Sequence, residues 1–332
     1  MPNASDIAAR KYDAPMVVPR KRTKHTLNYS KYANEIFHHL TFHRVCFAED
    51  FPRFLPHRFK TDRLARKHLE SLAVEGHIDI LEFAERQKPQ IYVITDEGFE
   101  AAQHHLTRVP STFPARKVDI KGQHVLHEAL ISEVASRRER HFRLHPDFRL
   151  LWKERFGFQN VPGFDDVVPD YADGFQGPQG QLIDFLEVLS GEQSITRVKR
   201  KLKAWEEWWL SPESRSFLQQ AYRTWGAHSD RPAFRLTIVA HNRNLVSTDY
   251  AWEREVLGAT FDVHPDLQRR IWTTTNAAIK TSGDIDAPIW HNAAHLVKHR
   301  AVWREQPKRK RFAHLTNLLA ETPTYPLFSL PA

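Results

Sequence analysis

Residues 167–205 constrain the fold more than any other stretch of this chain. Val167-Val168-Pro169-Asp170-Tyr171 reads as a strand, and a Gly-rich turn follows. Leu182-Ile183-Asp184-Phe185-Leu186-Glu187-Val188-Leu189 reads as a second strand, and a helix then runs to Trp205. Side chains alternate across a strand, so Ile183, Phe185, Glu187 and Leu189 share one face. Glu187 therefore lies among apolar neighbours, where an unpaired charge is costly. On the helix, Ile195, Val198, Leu202 and Trp205 recur at helical spacing and form the side that packs on the sheet. Lys201 falls at the edge of that stripe, angled toward the sheet, while Lys199 and Lys203 point further outward. Two carboxylates on neighbouring strands, Asp170 and Glu187, suit a hard divalent cation such as Mg²⁺ held near a phosphodiester. The plainer alternative is that Asp170 ends a strand and Glu187 is one acid on a sheet face.

The stretch resembles a known pattern. Pro169-Asp170, Phe185-Leu186-Glu187-Val188 and Lys201-Leu202 before an aromatic are similar to the core of the replication-relaxation family of plasmids and other mobile elements. That resemblance implies a winged helix joined to a domain related to the PD-(D/E)xK nucleases. It implies Asp170, Glu187 and Lys201 as catalytic residues, with Asp170 and Glu187 as metal ligands. The nuclease lysine stands two residues after the glutamate, where this chain has Leu189; the family's acid at that place is also absent. Lys201 is the candidate substitute. No cofactor is required by the residues themselves, and Mg²⁺ is the one the resemblance allows.

Composition narrows the partners. A net charge of +8 favours an acidic polymer, and the cations cluster at Arg20-Lys21-Arg22 with Lys24, and at Lys308-Arg309-Lys310-Arg311. The single cysteine, Cys46, excludes an internal disulfide framework and fits a cytoplasmic protein. No apolar run approaches the roughly 18 residues of a membrane span, so no membrane partner is expected. The histidines are scattered, without metal-site spacing.

Residues 1–25 are polar and basic and read as a flexible arm, either tracking DNA or simply solvated. Residues 26–110 predict three helices and a two-stranded ribbon, a winged helix-turn-helix. The first helix spans Lys31 to Leu40, and Val45 to Phe54 is read as a short second one. Thr61 caps a third to about Val74, where Gly76 stops it. Ile78–Leu81 and Ile91–Ile94 are the ribbon, and Thr95 opens a last helix to about His105. The third helix buries Leu64, Ala65, Leu69 and Leu72 and presents Arg63, Arg66 and Lys67. With Lys60 at its entrance and Arg86 and Lys88 in the ribbon tip, these are the expected DNA-binding residues. A winged helix that docks protein instead is the alternative.

Residues 111–122 read as a linker, 123–302 as the nuclease-like domain and 303–332 as a basic peripheral tail. The second domain opens on a helix from Gln123 to Arg138. His127 on it matches a histidine of the family, though a hydrogen-bonded core histidine is the preferred reading; Glu128 and Glu133 are minor site candidates. Phe142 to Phe158 reads as a strand with a connecting segment, and Pro212 to Gly226 as a helix. Ala233 to Ala240 is an apolar strand, Leu245 to Leu257 a helix and Ile271–Thr275 a late strand. Pro288-Ile289-Trp290 resembles the terminal tryptophan segment of the family.

The expected class is α+β: an N-terminal winged helix followed by a PD-(D/E)xK-like α/β domain with a central mixed sheet. The expected function is binding of double-stranded DNA to control replication, transfer or transcription of a plasmid or other mobile element, through the winged helix and a nuclease-like domain without activity. A metal-dependent endonuclease using Asp170, Glu187 and Lys201, and an assembly protein whose second domain forms a homodimer, are the alternatives.

Overall fold

Hydrophobic alternation and capping residues build two units, Met1–Arg137 and Arg138–Ala332. The computed structural model describes residues 16–17, 32–82, 90–105, 123–155, 167–190, 194–224, 233–241, 249–297, 305 and 323–328.

In the first unit, β1 (Met16–Val17) precedes helix α1 (Ala33–His43), strand β2 (Val45–Phe47) and helices α2 (Asp50–Phe54) and α3 (Asp62–Val74). Strands β3 (Ile78–Glu82) and β4 (Ile91–Ile94) and helix α4 (Asp96–His105) follow. The sheet runs β1-β3-β4-β2 with every pairing antiparallel. Helix α3 has defined ends. The Thr61 hydroxyl accepts from the Leu64 amide at 3.2 Å. At the other end Gly76, at φ 85°, lets the Gly76 and His77 amides donate back to Ala73 and Leu72, a left-handed C-terminal cap. Ala65, Leu69 and Leu72 then point into a core shared with Ile36, Phe37, Phe51 and Phe59.

The Val45–Phe54 region differs from the expected helix. Arg44 turns the chain with a left-handed φ of 65°. Val45, Cys46 and Phe47 then pair with Val93, Tyr92 and Ile91. The Asp50 carboxylate accepts the Phe47 amide at 2.9 Å as the short helix starts. A β-branched and aromatic triplet takes the open edge of β4 because that satisfies its backbone groups. A three-residue strand shows no period in sequence.

Helix α5 (Gln123–Leu144) contains the division between the units, whereas the sequence places the start of the second domain at residue 123. It also runs six residues beyond the expected Arg138. Its Val125 and Ala129 pack with Val45, Phe47, Leu81, Ile91 and Val93 of the first unit.

The second unit holds a six-stranded sheet of β5 (Arg149–Glu154), β6 (Tyr171–Gly177), β7 (Gly180–Ser190), β8 (Phe234–His241), β9 (Ile271–Thr275) and β10 (His291–Asn292), side by side in that order. The pairs β7–β8 and β8–β9 are parallel and the rest antiparallel, so the sheet is mixed. Helices α6 (Ile195–Leu210) and α7 (Pro212–Thr224) join β7 to β8; α8 (Asp249–Thr260) and α9 (Pro265–Gln268) join β8 to β9. The alternation expected for β7 holds: Ile183, Phe185 and Leu189 pack with Val198, Leu202, Trp205 and Trp208. Residues 182–189 are all buried, so both faces of β7 are covered. After β9, helix α10 (Asn276–Ser282) ends on Gly283, and a short α11 (Ala294–Val297) follows β10.

The opposite face is polar at its centre. Asp173 of β6 faces Asp184 of β7, which faces Arg235 of β8. Arg138 donates to both Asp173 oxygens at 2.7 and 2.8 Å and lies 2.9 Å from Asp184. Arg235 donates to Asp184 at 2.8 Å, and Thr237 also donates to Asp184. Residues 323–328 pack into this unit instead of lying peripherally. Tyr325 bridges to Trp290, Leu327 is fully buried, and the Phe328 ring lies under the Arg138 guanidinium, 5.3 Å away. Among the described residues no helix is long and apolar enough to cross a membrane.

Candidate functional site

The β6–β7 pairing brings the two expected carboxylates together. Tyr171 lies opposite Leu186, and the Asp170 amide continues that ladder by donating to the Leu186 carbonyl at 3.1 Å. Asp170 stands near Glu187, close enough for its charge to act on that carboxyl. The Asp170 carboxylate accepts the Val188 amide at 2.8 Å, and Arg155 donates to the Asp170 carbonyl at 3.2 Å. Asp170 thus terminates the strand pairing as well as flanking Glu187.

Helix α6 supplies the rest. The Ser194 hydroxyl caps its start by accepting from the Arg197 amide at 3.3 Å. Lys201 and Trp205 lie one turn apart and so meet the same carboxylate. The Lys201 ammonium donates to one Glu187 oxygen, and the Trp205 indole N–H donates to the other at 2.9 Å. Glu187 is 1% exposed, while the Lys201 side chain keeps 27% of its surface in water. Burial pushes the Glu187 carboxyl up to about 8 against the downward pull of Lys201, and the charge of Asp170 adds to the rise. Burial also acts to lower Lys201, but Glu187 and Asp170 outweigh it and hold the ammonium charged.

This arrangement does not fit a hard cation. Such an ion needs several open oxygen lone pairs. Here an ammonium and an indole N–H take the two Glu187 oxygens, and a backbone amide takes an Asp170 oxygen. Among the described residues no group of three or more His, Cys, Asp and Glu is arranged to hold a metal. Leu189, at the place of the usual lysine, is buried in the apolar core. What the constellation can do in this form is take up and release a proton at the Glu187 carboxyl, between the charged Lys201 ammonium and the nearby Asp170.

The other expected site residues divide into four groups. Lys60, Arg63 and Lys67 are exposed around α3. Arg66 instead turns along the helix, reaching Asp62 at 3.0 Å and Glu49 at 3.3 Å. Arg86 and Lys88 lie outside the described residues, as do the two basic knots near the chain ends. His127 is half-buried, and Glu133 belongs to a buried network of the first unit, 3.4 Å from Arg53 and 3.2 Å from Arg137.

Sequence reasoning missed Trp205 as a donor to Glu187 and missed the Arg138–Asp173–Asp184–Arg235 network altogether. A signal existed for the network: Asp173 and Asp184 are symmetric about the Gly177–Gly180 turn, so any hairpin there sets them side by side.

Comparison of the chain with protein-family models, with curated proteins and with solved structures finds no match.

Proposed function

We propose that the protein binds double-stranded DNA and controls replication, transfer or transcription of a plasmid or other mobile element. In this reading the first unit is a winged helix, and the second is a nuclease-like domain that does not cleave. The observation that carries it is the outward side of α3. Lys60, Arg63 and Lys67 are exposed there, with no carboxylate in ion-pair range among the described residues, on a helix fixed at both ends and buried along Ala65, Leu69 and Leu72. A rigid helix that offers unpaired cations away from its own core suits insertion against a duplex. The order helix, strand, helix, helix, hairpin, with β2 closing on β4, supports the winged-helix reading. The lack of catalysis is supported by the occupied oxygens of Glu187 and by Leu189. The tie to mobile elements rests on the resemblance of the 167–205 stretch.

The test is a gel shift with a library of duplexes. Arg63→Ala with Lys67→Ala abolishes sequence-selective binding and leaves the melting temperature unchanged, since each lost base contact costs about 1–3 kcal/mol. Unchanged affinity and selectivity in that variant rules the reading out.

One observation favours the endonuclease as a second reading: Lys201 does reach Glu187 from the helix, so three groups of the expected type stand together. Incubation with supercoiled and single-stranded DNA in Mg²⁺ and in Mn²⁺ decides it. Cleavage that vanishes in both Asp170→Ala and Glu187→Ala, with folding kept, makes the protein an enzyme.

A further inference from the structure

Helix α6 has a second side that the Glu187 contact does not use. Between positions 197 and 203 it carries Arg197, Lys199, Arg200, Lys201 and Lys203, and its first acid is Glu206. The positive end of a helix dipole ordinarily attracts acids into the first turn; here that turn has none. The cations are set against local preference, which points to a role outside the helix.

Lys201 turns inward to Glu187, and the others are exposed. Arg197, Arg200 and Lys203 recur every three residues, a stripe about 9 Å long on the helix surface. Lys199 pairs with Asp262 at 3.3 Å and Lys203 with Glu207 at 3.6 Å, and all four side chains are about half exposed or more. Pairs in water of this kind hold their partners weakly. Arg197 and Arg200 have no carboxylate in ion-pair range among the described residues.

The stripe lacks what a protein partner would seek. Protein interfaces centre on a buried aromatic or aliphatic anchor inside a polar rim. Ser194 and Thr196 are the exposed neighbours of these cations, and the one large exposed apolar side chain of the helix, Leu210, is at its far end. A phosphate backbone needs a row of cations and no apolar anchor.

We infer that the 195–203 segment is a nucleic-acid backbone contact in its own right, with Arg197, Arg200 and Lys203 each meeting a phosphate and Lys199 leaving Asp262 to join them. The same segment carries Lys201, which turns inward to Glu187. The contact is independent of sequence and does not need the first unit to bind DNA.

The experiment measures binding of the full chain to labelled random-sequence duplex and single-stranded DNA across a salt series. Arg197→Ala with Arg200→Ala lowers the slope of log affinity against log salt on duplex by about 1.8, two phosphate contacts' worth. Affinity falls alike for all sequences, while the melting temperature is unchanged and Arg197→Lys with Arg200→Lys restores the slope. The same pair of alanines is added to Arg63→Ala with Lys67→Ala. If the α3 variant binds as wild type and the α6 variant does not, the proposed function fails and this inference stands. An α6 variant with wild-type slope and affinity overturns the inference, as does a wild-type protein that binds neither DNA at low salt. Capture of polyglutamate through Arg197 and Arg200, with DNA binding untouched, makes the stripe a protein-docking surface and overturns it too.

Discussion

Replacing Lys201 by methionine tests how Glu187 is held. The change keeps the length of the side chain along α6 and removes the ammonium, leaving the carboxyl with the Trp205 indole and the nearby charge of Asp170. Breaking a buried ion pair from one side costs about 3–5 kcal/mol. Lys201 keeps 27% of its side chain exposed, so the loss sits near the lower end, about 3 kcal/mol. For a unit of roughly 200 residues that corresponds to a fall of about 6–12 °C in melting temperature. The loss depends on pH, and its sign follows from the raised carboxyl. A group whose folded value lies above its unfolded one stabilises fully below the unfolded value, and that contribution disappears as pH rises through the folded value. For Glu187 the window runs from its ordinary value of 4.5 to about 8. Without Lys201 the downward pull is gone, so the gap between variant and wild type widens from pH 5 to pH 9. Adding Glu187→Gln to Lys201→Met recovers most of the loss, because the amide carbonyl still accepts the Trp205 indole. Thermal and urea unfolding followed by tryptophan fluorescence at several pH values makes the measurement. A Lys201→Met protein that melts with wild type at pH 9 refutes the reasoning.

Two further outcomes follow from the first unit. Burial and the neighbouring Glu133 push the Asp50 carboxyl up to about 7 against Arg53, so its stabilising contribution, complete below about 3.8, is lost as pH rises through 7. Asp50→Asn keeps an acceptor for the Phe47 amide and removes the titration, so its unfolding midpoint declines less than that of wild type between pH 5 and pH 8; parallel curves from denaturant titrations would exclude this. At Gly98 an added Cβ would lie 1.9 Å from the His77 carbonyl oxygen. Gly98→Ala therefore destabilises by about 2 kcal/mol or more through forced backbone movement, and calorimetry showing no change would mean that His77 and α4 are not packed this closely.

Much of the framework is written locally. The cap at Thr61, the stop at Gly76 and the alternation of β7 are rules of adjacent residues, and each has the expected partners in space. The Asp170–Glu187–Lys201 meeting was also legible, because the strand and helix periods fix which side chains face each other. The misses share a cause. Beyond Arg137 the helix α5 reads as a charged run, Arg138-Glu139-Arg140, yet Arg138 is fully buried against Asp173 and Asp184. Hydropathy counts such a residue as solvent-facing, and only its distant partners reverse that. Strand β2 was hidden for the same reason, since its pairing with β4 lies far away in sequence. Arg66 shows the limit on the functional side: helical spacing predicts its direction but not the acids of Asp62 and Glu49 that hold it.

The closure of the polar face of the second sheet sets an order of events in folding. Arg138 reaches Asp173 across 35 residues, and Arg235 donates to the Leu327 carbonyl across 92. Contacts of such separation pay loop-closure entropy before they return anything, and chains built on them fold slowly. The strands that carry Asp173, Asp184 and Arg235 leave the ribosome well before Leu327 and Phe328 do. Until those two residues arrive, the ionised side chains of the growing domain remain wetted. The helix-covered face has its partners sooner, because α6 directly follows β7. The domain therefore becomes dry on one side of its sheet earlier in synthesis than on the other.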